Sequence, residues 1–191
     1  MTVQSLPPGH VGTVVTALRM ARRPTPGPLP ASELRIEPWA EPDLDRYRAL
    51  FRRIGARWLW YSRLVMSDAE LRAAIGEVHV VRDSGSGEVG MIELERGPGA
   101  CRIRFLGLVP ELTGRGHGRW LVGAALALAW RDGVDQVELY TCSLDHPAAM
   151  PAYLSAGFTA VSRAFESFPD PRLAGLLPSD CAPQVPLVEL S

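Results

Sequence analysis

Apolar residues along this chain switch several times between a spacing of two and a spacing of three to four, and the switches outline a series of short elements. Val11 to Met20 alternates as a β-like run. Arg22 to Pro30 then holds four prolines in nine residues, which regular structure does not tolerate. Glu33 to Glu37 reads as a strand. Glu41-Pro42-Asp43 opens a helix to about Gly55, with Leu44, Tyr47, Leu50, Phe51 and Ile54 at helical spacing and arginines on the other face. Ser67-Asp68-Ala69-Glu70 has the order of a capping box, so a second helix starts there, turns Leu71 and Ile75 inward and ends near Gly76.

The second half is richer in strands. Val78 to Arg82 and Glu88 to Glu95 form two strands joined by Asp83-Ser84-Gly85-Ser86-Gly87, a hairpin loop by composition. Cys101 to Leu108 is the next strand, and Trp120 to Ala129 is a helix ending at Asp132-Gly133. Val134 to Cys142 is a strand, Pro147 to Ala156 a short helix that Pro151 distorts or delays, and Phe158 to Phe168 a final strand. Pro169 to Ser191 holds five prolines and reads as an extended tail. The order predicts an α/β domain with a mixed sheet and helices on both faces.

Composition narrows the class. A length of 191 residues with 47% hydrophobic content suits one packed domain. Net charge of -1 gives no bulk attraction to phosphate backbones, so no nucleic-acid partner is expected. All 20 basic residues are arginine, which excludes lysine Schiff-base chemistry. Cys101, Cys142 and Cys181 are odd in number and widely spaced, and are read as reduced thiols with no metal site. No run approaches the about eighteen apolar residues of a membrane span, so a cytoplasmic protein without a membrane partner is expected.

The chemistry concentrates in Phe105 to Trp130, a strand, a glycine-rich turn and a helix in succession. Gly114, Gly116 and Gly118 lack Cβ atoms, so main-chain N–H groups can close around an anion there, helped by the start of the following helix. A P-loop needs Gly-Lys-Ser/Thr at its end, and here Arg119 and Trp120 follow Gly118. A dinucleotide fingerprint spaces its glycines G-x-G-x-x-G, unlike the G-x-G-x-G of Gly114 to Gly118.

Leu108-Val109-Pro110-Glu111-Leu112-Thr113-Gly114-Arg115-Gly116-His117-Gly118 instead resembles the acetyl-CoA motif of the GCN5-related N-acetyltransferase (GNAT) family, Val-x-Pro-Glu-x-Arg/Gln-Gly-x-Gly-x-Gly/Ala. Thr113 stands where that family has Arg or Gln, with Arg115 and Arg119 at hand to supply the charge. A second block, from His146 through Ala149 and Tyr153 to Gly157-Phe158, resembles the family's Asn-x-x-Ala-x-x-x-Tyr-x-x-x-Gly-Phe, with His146 in the asparagine position. The two blocks cover roughly Glu88 to Phe168. The resemblance implies a single GNAT-like domain over residues 33–168, with a mostly antiparallel sheet whose central strands splay. Residues 1–32 are then an extension with an added strand and a proline-rich linker, and 169–191 the tail.

The same resemblance implies acetyl-CoA as co-substrate and transfer of its acetyl group to a primary amine by direct attack in a ternary complex. Leu108 and Val109 would offer main-chain groups to the pantetheine arm. Thr113 to Arg119 would hold the diphosphate, and His146 would brace the adjoining loop. Tyr153 would donate a proton to the departing thiolate. Glu93 and Glu95, on one face of a strand by the period-two rule, are candidates for proton relay and acceptor binding, Glu93 as catalytic residue and Glu95 toward the substrate. Trp58 and Trp60, in the aromatic run before Arg63, would wall an acceptor pocket. Cys142 is read as packing rather than as an acyl carrier.

The acceptor is open between a small-molecule and a peptide amine, and a homodimer is open as well. Arg102, Arg104 and Thr113 keep open a second reading, a non-catalytic acyl-CoA-binding or regulatory module. A third is an interaction protein that uses its proline-rich ends.

Overall fold

The computed structural model describes residues 3–25 and 27–188, so Pro26 of the linker and the last three residues of the tail lie outside the described residues. The elements are β1 (His10–Met20), β2 (Arg35–Pro38), α1 (Leu44–Gly55), α2 (Asp68–Ala74), β3 (Glu77–Arg82), β4 (Glu88–Gly97), β5 (Gly99–Leu108), α3 (His117–Ala129), β6 (Val134–Cys142), α4 (Ala149–Ser155) and β7 (Thr159–Pro169). They build one seven-stranded sheet in the order β2-β3-β4-β5-β6-β1-β7. All neighbours are antiparallel except β5 and β6, which run parallel and are joined through α3. Helices cover both faces: α1 packs on β4 and β5, and α3 packs on β5 and β6 and against α4. Among the described residues no helix is long and apolar enough to cross a membrane.

Local chemistry sets the helix starts as the sequence implies. The Asp43 carboxylate accepts from the Arg46 N–H at 2.9 Å, and α1 buries Leu44, Tyr47, Leu50, Phe51 and Ile54. Ser67 and Glu70 form both halves of the capping box of α2. Two starts differ from expectation. α3 begins a turn earlier than Trp120, because Gly116 takes a left-handed φ of 85° and releases His117 directly into the helix. α4 begins at Ala149 rather than Pro147. Pro151 then falls in the first turn, where a missing N–H removes no helical bond.

The ends of the chain are integral to the sheet and core. β1, expected as an added strand on an extension, lies between β6 and β7, in register from Val15↔Cys142 to Met20↔Val137 and from His10↔Pro169 to Arg19↔Thr159. The alternation of Val11 to Met20 announces a strand but carries no information on its neighbours. The tail, expected to be extended, folds back instead. Leu177 and Ala182 join Val11, Leu59 and Phe168 in a second small core. Arg172, nearly fully buried, pairs with Asp170 at 2.7 Å and donates to the carbonyl of Val185 at 2.8 Å. Proline content marked this segment as irregular, and irregular backbone can still pack when its polar groups find partners.

Two irregularities shape the centre. The β4–β5 register passes from Glu93↔Phe105 to Leu94↔Ile103, leaving Arg104 as an extra residue in β5. The β5–β6 ladder ends at Ile103↔Leu139, although both strands continue. The strands therefore diverge beyond Ile103, and the gap between them is the floor of the main cavity.

Candidate active site

The cavity measures about 660 Å³ and runs from the glycine turn, through the gap between β5 and β6, to β1 and β7. At its first end Gly114 and Gly116 adopt φ of 78° and 85°, which ordinary side chains rarely allow. No atom lies within 4 Å of the point that a Cβ would occupy at Gly114, Gly116 or Gly118. Among the described residues, no protein group accepts from the amides of Gly114, Gly116, His117, Gly118 or Arg119. A helix start with open space and unused N–H donors fits a diphosphate. Thr113, His117 and Arg119 line this end as expected. Arg115 does not line the cavity, and its N–H already reaches the Leu112 carbonyl at 3.4 Å.

Along the gap, strand geometry decides which main-chain groups are available. Val109 was expected to serve an extended ligand. It is buried, and its N–H donates to Val89 at 2.9 Å. An antiparallel ladder alternates, so with Val109 facing β4, Leu108 and Leu106 turn their N–H and C=O groups away from β4 into the gap. Leu108 and Leu106 both line the cavity, whereas Val109 does not, and Leu106 carried no mark in the sequence.

Tyr153 lines the gap from α4, with its ring against Phe158. Burial, and then the charge of Asp145, push its phenol well above the ordinary value, so it stays protonated. Asp145 also lines the cavity. Its carboxylate accepts from Thr141 Oγ1 at 2.8 Å, the Cys142 N–H at 3.0 Å and Trp60 Nε1 at 3.4 Å. Burial and the same Asp145 charge raise the Cys142 thiol, which keeps it a poor nucleophile. His146 Nδ1 accepts from the Ala148 N–H at 3.0 Å, so it braces the turn into α4, and its ring meets the edge of Trp58.

Glu93 and Glu95 of β4 do not reach the cavity. Glu93 is fully buried and accepts from Arg63 Nη2 and Tyr47 Oη, both at 2.5 Å, and from the Gly76 N–H at 3.3 Å. Its role as a base facing substrate is replaced by a structural one. It holds Arg63, itself nearly fully buried, under the ring of Phe105 and so pins the segment after α1. Glu95 is exposed and paired with Arg104 at 2.9 Å and Arg102 at 3.3 Å, outside the cavity lining. Period two placed both acids on one strand face correctly, but it cannot tell which cation on another element will capture each.

At the far end the walls are Trp58, Trp60 and Tyr61 from the segment after α1, Thr13 and Val15 from β1, and Glu166 and Phe168 from β7. Trp60 divides its ring between Phe51 and Phe105 in the core, whereas Trp58 faces the opening. A model of the Acetyltransferase (GNAT) family matches residues 31–158, which hold the cradle, the gap and Tyr153. The chain belongs to that family.

Solved structures of similar fold include a GCN5-related N-acetyltransferase from Sphaerobacter thermophilus, 16% identical with a TM-score of 0.60, matched over 82% of this chain and 51% of that one. The chain thus spans about half the length of that protein. A ribosomal-protein-S18-alanine N-acetyltransferase from Escherichia coli is 16% identical with a TM-score of 0.55, over 72% and 94% of the two chains. A spermidine N-acetyltransferase from Vibrio cholerae is 19% identical with a TM-score of 0.53, over 72% and 96%. At these identities the likeness is one of fold. No curated protein sequence matches the chain. β1 and β7 both lie outside the matched GNAT segment, so the part of the far wall that they supply, Thr13, Val15, Glu166 and Phe168, falls outside the family match. Neither family motif reaches Glu166 or Phe168, so they carried no sequence signal.

Proposed function

We propose that this GNAT protein is an acetyl-CoA-dependent N-acetyltransferase that moves an acetyl group to a primary amine by direct attack in a ternary complex. The observation that carries this reading is the unused row of amides at Gly116 to Arg119 opening onto a strand gap that also holds Tyr153. Acetyl-CoA supplies the acetyl group as a thioester. Main-chain N–H groups of Gly116, Gly118 and Arg119 bind its diphosphate, with the Arg119 guanidinium replacing the charge that Thr113 lacks. Leu106 and Leu108 pair with the amide arm in the manner of an added strand.

Asp145 is the carboxylate beside the reacting centre and takes the proton of the entering ammonium. The neutral amine then attacks the carbonyl, the C–S bond breaks, the Tyr153 hydroxyl gives its proton to the sulfur, and the proton shed by the attacking nitrogen restores the phenol. Burial and the Asp145 charge keep that phenol protonated, so it enters the step carrying the proton it must give. Two structural relatives are named for a small polyamine in one case and a protein alanine in the other, and both are amines. A second reading, acyl-CoA binding without catalysis, draws on the engagement of Asp145 by three donors and on the absence of Glu93 and Glu95 from the cavity lining.

Calorimetric titration with acetyl-CoA, followed by release of free CoA thiol over a panel of amines, separates the readings. Saturable heat and amine-dependent thiol release support transfer. Heat without release favours the binding module, and no heat at high micromolar ligand removes both.

A further inference from the structure

The far end of the cavity brings one carboxylate, Glu166, together with the rings of Trp58, Tyr61 and Phe168. Glu166 lies opposite Thr13 in the β1–β7 register, and Phe168, two residues on, shares its face of the strand. Tyr61 stacks on Phe168 with ring centroids 4.8 Å apart, and Trp58 completes the aromatic wall. Among the described residues Glu166 has no ion-pair partner. Burial, and then the negative charge of Glu166, raise the Tyr61 phenol, which agrees with the two groups facing each other. Of the two arginines that line the cavity, Arg119 belongs to the glycine turn and Arg104, on β5, is already paired with Glu95 at 2.9 Å. A free carboxylate among aromatic faces attracts ammonium groups and repels carboxylates.

Position separates this carboxylate from the reacting amine. The gap that receives the thioester flanks β6, while Glu166 sits on β7 with β1 between them. Two strand spacings place it roughly 10 Å away. We propose that Glu166 is a specificity-determining residue that holds a second cationic centre of the acceptor, so that the substrate is a linear diamine or a longer polycation acetylated at its other end. The inference rests on the acetyltransferase reading and adds to it a substrate class and the residue that selects it.

Three acceptors of matched length test it with the full chain: 1,5-diaminopentane, pentylamine and 6-aminohexanoate. The diamine is expected to show a KM about tenfold below that of the monoamine, the effect of one ion pair and one aromatic contact. Glu166→Gln brings the diamine's KM up to that of the monoamine, and Glu166→Arg moves the preference to 6-aminohexanoate. Transfer with the same KM ratio in wild type and Glu166→Gln overturns the subsite while leaving the enzyme reading intact. Preference of the wild type for 6-aminohexanoate overturns it too. Absence of saturable acetyl-CoA binding defeats the acetyltransferase reading and this inference together.

Discussion

Three glycines two positions apart have different reasons to be glycine. Gly116 needs its left-handed φ of 85°, so Gly116→Ala should cost about 1 kcal/mol of stability and weaken acetyl-CoA binding. Gly118 has no such φ and sits in the first turn of α3 before open space. Gly118→Ala should raise stability by about 0.5 kcal/mol while still weakening acetyl-CoA, because the new methyl enters the anion's space. Denaturant midpoints paired with calorimetric affinity check both. For Tyr153→Phe the expected outcome is a fall in kcat of about a hundredfold with acetyl-CoA affinity unchanged, read by steady-state kinetics beside calorimetry. The cradle and Tyr153 were legible because short local motifs encode them. Glu93 was not, since its burial depends on Arg63 and Tyr47 arriving from other elements.

Segments without regular structure hold this protein together as firmly as its helices. The tail is locked by Asp170 and Arg172. Burial alone would raise the Asp170 carboxyl, but hydrogen bonds and charge from Arg172 outweigh it and hold it below the ordinary range. Removing one partner strands the other, so Asp170→Asn should cost about 3 kcal/mol in urea unfolding and expose the chain after Pro169 to protease. Glu77, at the start of β3, joins Arg96 at 3.0 Å, and Arg96 donates to the last carbonyls of α3, Leu128 and Ala129. Burial again opposes, while hydrogen bonds from Arg96 and His79 and the charges of Arg96 and Arg131 lower the Glu77 carboxyl to about 2. Its folded value lies below an unfolded one of about 4.3, so its contribution is complete above that pH and is lost as pH falls toward 2. Glu77→Gln should flatten the fall of Tm with acid over that window. The helix caps and strands were readable from neighbours in sequence, whereas these clamps join residues that only the fold brings together.

At the scale of the molecule, the strand order carries the function. A chain cut to residues 33–168 would lose β1 from between β6 and β7, and with it Thr13 and Val15 from the cavity. That fragment should show no cooperative thermal transition by circular dichroism, although the family match at 31–158 lies almost wholly within it. Sequence alone determined what repeats over a few residues: alternation for strands, helical stripes and caps, and the left-handed glycines of the anion cradle, because these depend on contacts within a turn or two. Tertiary structure decided which strand lies beside which, where the β5–β6 gap opens, which glutamate is buried and which faces the cavity. Those outcomes rest on pairings between residues far apart in the chain, such as Tyr47 with Glu93 and Thr13 with Glu166, and no local pattern contains the partner.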